Sequence, residues 1–333
     1  MKNGIKKNIP KISIVMCTYN GEDYLAEQLS SIAKQTRAPD ELIVCDDGST
    51  DNTIQLMEQF SKQSSFPIRL YCNKQRLGPT RNFDKAISLS SGDLIFLSDQ
   101  DDIWMTPKIE MMLQLFMNNT DAGYVFSNAL IVDKMSRPMG YTMWESIQFT
   151  KRQQKQYKQG NQLPILLKHN VVTGAAMAFR AKLKSTILPI PDQWLHDEWI
   201  ALLASSTAMP GMIIEMPLIQ YRQHPSQFVG GKRQPFIRQV MEASAVKGHS
   251  METRLRQQKS RYSNVLERLI IVEKQEENTR RYLNAKIRHL QVRCSIHKQK
   301  YHIARSVYVL KELLTFRYNR FSGWKTVLRD LFL

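Results

Sequence analysis

From residue 11 onward, runs of branched apolar residues alternate with segments of helical spacing. Lys11–Cys17 (K-I-S-I-V-M-C) is apolar almost throughout, which predicts a strand covered on both faces. Thr18-Tyr19-Asn20-Gly21 breaks it, and Leu25, Leu29 and Ile32 then mark a helix over 23–35. Glu41–Cys45 predicts a second strand, ending in Asp46-Asp47-Gly48-Ser49-Thr50-Asp51. Ser49 or Asp51 can cap a helix running to about Lys62. Ile68–Cys72 predicts a third strand, Thr80–Ser90 a third helix and Asp93–Leu97 a fourth strand. Such alternation means βαβ units and a parallel sheet.

The middle of the chain is less regular. Gly123–Ser127 reads as a strand, and the Gln/Lys-rich stretch 148–162 as a surface loop. Val171–Phe179 reads as an apolar strand with a Thr-Gly break. Trp194–Trp199 opens an apolar helix to about Ser205, and Met212–Ile219 is a strand leading to Tyr221-Arg222-Gln223-His224. Beyond Gly231 the pattern is helical. Tyr262, Leu266 and Leu269 form one stripe, Leu283, Ile287 and Leu290 a second, and Ile303, Val307, Leu310 and Leu314 a third. Glu273, Glu276 and Glu277 interrupt the first two, which argues against a long coiled coil.

The 42% hydrophobic fraction and five Trp indicate a folded core: one large domain, or one domain with an extension. Charge sharpens that division. Of the net +17, residues 1–230 carry only +2 (24 Lys and Arg against 22 Asp and Glu), whereas 231–333 carry +15 (23 against 8). The four cysteines show no C-x-x-C spacing and suit a reducing compartment. Met1–Pro10 has no apolar core of a signal peptide, and no run approaches the roughly 18–20 apolar residues of a membrane span. A cytoplasmic protein is expected, with any membrane contact peripheral at the inner face of the plasma membrane.

Candidate chemistry centres on Leu94–Trp104 (L-I-F-L-S-D-Q-D-D-I-W), where a buried strand ends in Asp99, Asp101 and Asp102. Ligands of open α/β sheets bind at the carboxyl edge. Three carboxylates so close repel one another unless a cation sits among them; the plainer reading is a capped loop with solvated acids. Asp46-Asp47 fall at the same edge. No G-x-G-x-x-G follows the first strand and no G-x-x-x-x-G-K-[ST] occurs, so dinucleotide and Walker-type sites are excluded.

Taken together, C-T-Y-N-G (17–21), C-D-D-G-S-T-D (45–51), S-D-Q-D-D-I-W (98–104), H-D-E-W (196–199) and Y-R-Q-H (221–224) resemble glycosyltransferase family 2. The likeness covers roughly residues 10–230 and is nearest the bacterial surface-polysaccharide branch often called rhamnosyltransferases. It implies an α/β fold of GT-A type, a Rossmann-like, mostly parallel sheet flanked by helices. A nucleotide-binding half (about 10–120) and an acceptor half (about 121–230) would form one catalytic domain. The implied reaction is inverting transfer of a hexosyl or deoxyhexosyl group from a nucleotide-sugar to a saccharide or polyprenyl-linked acceptor, with Mg²⁺ or Mn²⁺ as cofactor. By the same resemblance Asp101 is the main metal ligand; His224, after a strand, reads as a further ligand, as a hydrogen-bond partner of the diphosphate or, more plainly, as a polar loop residue. Asp99 faces the ribose or donor sugar, and Asp102 stands behind them. Thr18, Tyr19, Asn20 and Asp47 meet the nucleoside, with Asp46 as readily structural. Asp197 is the general base, with Glu198 as competitor; a carboxylate at a helix N-terminus is also favoured by the helix dipole alone. Arg81 and Asn82 open a helix where phosphate can bind. Many relatives carry Asn three residues after the His, where this chain has Gln227. Trp104, Trp194 and Trp199 read as a sugar-stacking wall or, more plainly, as core.

The basic third has its own readings. Lys298, Lys300, Arg305, Lys311, Arg317 and Arg320 flank the last stripe, with Phe321 and Trp324 nearby. Such helices suit an anionic membrane surface, or they pack on the catalytic domain or on a second subunit of an oligomer. Two other functions compete. A nucleotidyltransferase would want a Gly-rich basic loop after the first strand. A nucleic-acid binder would want aromatic-interleaved basic strands or a helix-turn-helix, and neither is evident.

Overall fold

The computed structural model describes residues 9–225, 251–274, 276–299 and 302–332. Gln227 and Lys300, singled out above, lie outside the described residues, as does most of the N-terminal segment. The chain divides into two compact units, Met1–Thr150 with Val172–Ile200 and Met209–Gly231, and Lys151–Val171 with Ala201–Ala208 and Lys232–Leu333.

The first unit begins with β1 (Ile12–Thr18), α1 (Glu22–Ala33), β2 (Glu41–Asp46), α2 (Thr53–Gln63), β3 (Ile68–Cys72), α3 (Pro79–Leu89) and β4 (Leu94–Ser98). These match the expected elements to within a residue or two. The short β5 (Ile103–Trp104), α4 (Lys108–Asn118), β6 (Tyr124–Val132), β7 (Pro138–Thr142) and α5 (Met143–Ser146) follow. After α6 (Lys151–Lys158) and α7 (Gln162–Leu166) of the second unit come β8 (Met177–Arg180), α8 (Lys184–Ile187), α9 (His196–Ser206) and β9 (Gly211–Arg222). The sheet runs β3-β2-β1-β4-β8-β6-β9-β5, with β7 paired to β6. β3, β2, β1 and β4 are parallel; β8 then enters antiparallel to both β4 and β6, so the sheet is mixed beyond β4. β2 and β4 are wholly buried and β1 nearly so, which is why their sequences are apolar runs rather than alternating ones.

Register decides where the polar tails go. Thr18 pairs with Asp46, and Met16 with Ser98, so β1, β2 and β4 end level with one another at one edge. β8 runs the other way, with Phe96 opposite Ala178, so the turn preceding it returns to that edge. β9 is antiparallel to β5, with Ile103 opposite Gln220, which carries Tyr221 and Arg222 back beside Asp102. Of the expected 171–179 strand, only its end enters the sheet, as the start of Met177–Arg180; Gly174–Ala176 is a 3-10 turn.

One expectation fails in the second unit. The polar stretch 151–158 is helix, not loop: it is built from good helix formers and anchored by Tyr157 and Gln154, both buried. The third apolar stripe faces outward, as described below. α10 (Met251–Ile271) and α11 (Glu277–Lys298) pack on one another, with Tyr262, Leu269, Leu283 and Leu290 buried, and are two separate helices rather than one rod. α12 (His302–Leu314), α13 (Arg317–Phe321) and α14 (Trp324–Phe332) complete the unit around Ile296, Val309 and Tyr318. A buried polar network joins them. Arg293 donates to both oxygens of Asp330 (2.6 and 2.9 Å), and Tyr318 Oη to one of them (2.8 Å). Burial raises the Asp330 carboxyl, but hydrogen bonds from His297 and Arg293 outweigh it and hold the group below the usual carboxylate range.

Candidate active site

The loops after β1, β2 and β4 are tied together by side chains. Tyr19 N–H donates to Gln100 Oε1 (2.9 Å), and Gln100 Nε2 donates back to the Tyr19 carbonyl (3.0 Å). A Cβ at Gly21 would lie 2.3 Å from that Oε1, so the clamp requires glycine there. Asn20 sits at φ 46°, a left-handed conformation Asn tolerates. Its Oδ1 accepts Thr50 N–H (2.8 Å), and its own N–H donates to Ser49 Oγ (2.9 Å). Thr18 Oγ1 donates to Asp46, whose other oxygen takes the N–H groups of Gly48 and Ser49. Asp46 is therefore occupied in shaping its own turn. Asp47 accepts from Asn73 Nδ2 (3.0 Å) and from the N–H groups of Leu77 (2.6 Å) and Gly78 (2.8 Å), fixing the loop before α3. From that loop Arg76 lies over the Tyr19 ring, 3.7 Å from its centroid. Arg81, at the start of α3, is exposed and forked onto Asp192, while Asn82 is buried and donates to the Cys45 carbonyl.

Asp99, Asp101 and Asp102 each offer a carboxylate oxygen, all within 4.8 Å of one another. Asp102 is fully buried: one oxygen accepts Arg222 N–H (3.1 Å), and the other has no hydrogen-bond partner among the described residues. Asp101 Oδ2 lies 2.8 Å from His224 Nε2, and its carbonyl accepts Arg222 Nε (2.8 Å). Burial, then Asp101, then Asp197, push the Asp99 carboxyl up to about 7. Burial with Asp101 and Asp99 drives Asp102 well above the ordinary range. Oxygen donors crowded this closely, one of them buried and orphaned, fit a hard divalent cation and are costly without one. Arg222 holds the loop from behind, its guanidinium buried and bonded to Glu27, Ser136 and the Lys134 carbonyl.

Lys108, fully buried at the start of α4, was not singled out from sequence. Its ammonium donates to the Ala175 carbonyl (2.5 Å) and lies 3.4 Å from the centre of the Trp104 ring. Burial lowers its pKa well below that of a free lysine, against the pull of Asp102 and Asp99. Lys108→Met would leave the Ala175 carbonyl without its donor and the acids without a buried cation. It is expected to cost about 2 kcal/mol or more in urea unfolding; an unchanged midpoint would show that the ammonium has no such role.

Asp197 stands in the first turn of α9, nine-tenths buried. Its Oδ2 accepts Gly174 N–H (3.0 Å), from the turn that Lys108 holds one residue on, and Oδ1 accepts Glu198 N–H (2.7 Å). Burial pushes its carboxyl up to about 7 against those hydrogen bonds. A Cβ on Gly174 would meet His196 Nε2 at 2.7 Å. His196 stacks on Phe83 (3.8 Å between centroids), and burial drives its pKa down to about 3, so the ring beside Asp197 is neutral. The Tyr221 hydroxyl is raised far above its ordinary range by burial and then by Asp102, Asp99, Asp101 and Asp197 in turn. All four acids thus act on one buried neighbourhood. Trp104, Trp194 and Trp199 are buried core residues. The sequence reading passed over Gln100, Lys108 and Arg222; a polar residue inside or beside a motif was the only signal they gave.

The model of glycosyl transferase family 2 matches residues 13–185, just over half of the chain. The chain belongs to that family. Its curated relatives include an Escherichia coli enzyme, UDP-Glc:alpha-D-GlcNAc-diphosphoundecaprenol beta-1,3-glucosyltransferase WfgD. It is 35% identical over 125 residues, 38% of this chain and 48% of that protein. The dTDP-rhamnosyl transferase RfbG of Shigella flexneri is 39% identical over 113 residues, 32% of this chain and 38% of its own length. The chain spans about half the length, or less, of these curated relatives. Among solved structures, S. aureus TarS 1-349 in complex with UDP-GlcNAc has a TM-score of 0.56 at 16% identity, covering 84% of this chain and 72% of that one. The mannosyltransferase PcManGT from Pyrobaculum calidifontis, in complex with GDP-Man and Mn²⁺, has a TM-score of 0.52 at 14% identity, covering 98% and 86%. At these identities the likeness establishes the fold, which is GT-A-like. Among the described residues no helix is long and apolar enough to cross a membrane.

Proposed function

We propose that this family 2 chain is an inverting, divalent-metal-dependent glycosyltransferase. It would move a hexosyl or deoxyhexosyl group, rhamnosyl among them, from a nucleotide-sugar to a saccharide or polyprenyl-linked acceptor in cell-surface polysaccharide synthesis, at the cytoplasmic face of the membrane. The observation that carries the reading is electrostatic. Burial and then Asp101 raise the Asp99 carboxyl, and Asp197 raises it further, which supports a base within electrostatic reach of the acidic cluster.

In this reading Tyr19 and Asp47 meet the nucleobase, Thr18 and Asn20 shape the loop that presents them, and Asp99 faces the ribose or donor sugar. Arg81 would have to leave Asp192 to meet a phosphate. Asp101, with His224 beside it, would hold Mg²⁺ or Mn²⁺, and that ion would neutralise the charge developing on the departing diphosphate. Asp197 accepts the proton of the acceptor hydroxyl as its oxygen bonds to the anomeric carbon and the carbon–phosphate oxygen bond breaks on the opposite side. One base suffices because no covalent intermediate forms. The relatives named for glucosyl and rhamnosyl transfer, and the solved neighbours holding UDP-GlcNAc or GDP-Man with Mn²⁺, support the class of donor. A panel of nucleotide-sugars incubated with the chain and either metal should show release of one nucleoside diphosphate above background. No turnover of any donor with Mg²⁺ or Mn²⁺ would reject the proposal.

A further inference from the structure

The stripe Ile303, Val307, Leu310 and Leu314 recurs at the spacing of one helix face. That face points to solvent: Ile303 is 81% exposed, Leu310 61% and Leu314 73%. The opposite side of α12 is the buried one. Val309 joins the core there, and Glu312 is enclosed with His289 (2.8 Å) and Arg317 (3.0 Å). The helix is therefore inside out relative to a water-facing one, with its acid inside and its leucines outside. α14 repeats the arrangement. Trp324, Leu328 and Phe332 share a face and are exposed, while Asp330, on another side, is fully buried against Arg293 and Tyr318.

Charge identifies what covers these faces. Between residues 302 and 332 the only acids are Glu312 and Asp330, and both are buried and paired. The charged residues exposed beside the stripes, Lys311, Arg320 and Lys325 among them, are positive. A second copy of this chain would bring like charges together around the same apolar residues. An anionic lipid surface offers an apolar interior for the leucines, a headgroup layer for Trp324, and opposite charge for the lysines and arginines. We propose that the outward faces of α12 and α14 seat this unit on an anionic membrane surface.

The proposal deepens the reading of a membrane-borne acceptor. Its test measures binding alone, without donor, metal or acceptor, so its failure leaves the transfer chemistry untouched. The full chain is sedimented with vesicles of phosphatidylcholine, with or without phosphatidylglycerol. Binding to the anionic vesicles is expected to be about tenfold or more tighter than to the neutral ones. Leu310→Glu with Leu314→Glu is expected to lower it by about tenfold or more, and the neutral pair Leu310→Ser with Leu314→Ser by a smaller factor. All four substitutions are at exposed sites, and unchanged thermal unfolding confirms the fold. Three outcomes overturn the proposal: no binding to the anionic vesicles, binding by both variant pairs equal to that of the parent, or a lipid-free oligomer that either pair dissociates.

Discussion

Asp197→Asn is expected to lower turnover by about 10²–10⁴-fold while donor affinity in the presence of metal stays unchanged. The amide keeps the shape and the hydrogen bond to Gly174 but cannot accept the acceptor's proton. The pH dependence offers an independent check on the same residue. Burial holds its carboxyl up to about 7, so the base is largely protonated below that pH and free above it. Turnover should rise with pH through a midpoint near 7, falling about tenfold per unit on the acid side, as one obligatory deprotonation requires. The acid limb should vanish from whatever activity Asp197→Asn retains. Glu198→Gln, one residue along α9, is expected to keep both the rate and the limb; if it loses them while Asp197→Asn does not, the base is Glu198.

Much of this site is readable from sequence because its parts are local. An apolar run ending in T-Y-N-G, D-D-G-S-T-D or S-D-Q-D-D-I-W fixes both a buried strand and the polar loop it delivers. What sequence hides is whatever acts across long separations or depends on which side of a helix is inside. Arg222 reaches Asp101 and Asp102 more than a hundred residues back in the chain, and no periodicity announces such a contact. Lys108 opens α4 as its single lysine, with nothing in the spacing to mark it, yet it is wholly enclosed. The 151–158 segment is so polar that its helix shows no apolar stripe; Tyr157 and Gln154 give it its inward face. The third C-terminal stripe shows the converse. Spacing proves that Ile303, Val307, Leu310 and Leu314 share a face, but only the burial of Glu312 reveals that the face is outward.

Asp101→Ala should abolish metal-dependent donor binding, with an affinity loss of about 100-fold or more by calorimetry with Mn²⁺, and turnover should fall with it. The sign of its effect on stability separates a ligand from a structural acid. Without metal, Asp101 is a source of repulsion: after burial it is the leading cause raising both Asp99 and Asp102. Removing it relieves that strain at the cost of one hydrogen bond to His224, so the metal-free unfolding temperature should hold or rise. The parent, by contrast, should gain about 2.7 kcal/mol when Mn²⁺ is supplied at a hundred times its dissociation constant, and the variant should gain nothing. Protons enter the same balance. Asp99 is pushed up to about 7 and Asp102 is raised well above the ordinary carboxylate range, so metal uptake expels protons, and apparent affinity should climb as pH rises toward and through 7. A variant that unfolds more readily without metal, yet is still stabilised by Mn²⁺ as the parent is, would mark Asp101 as part of the scaffold and move the cation elsewhere.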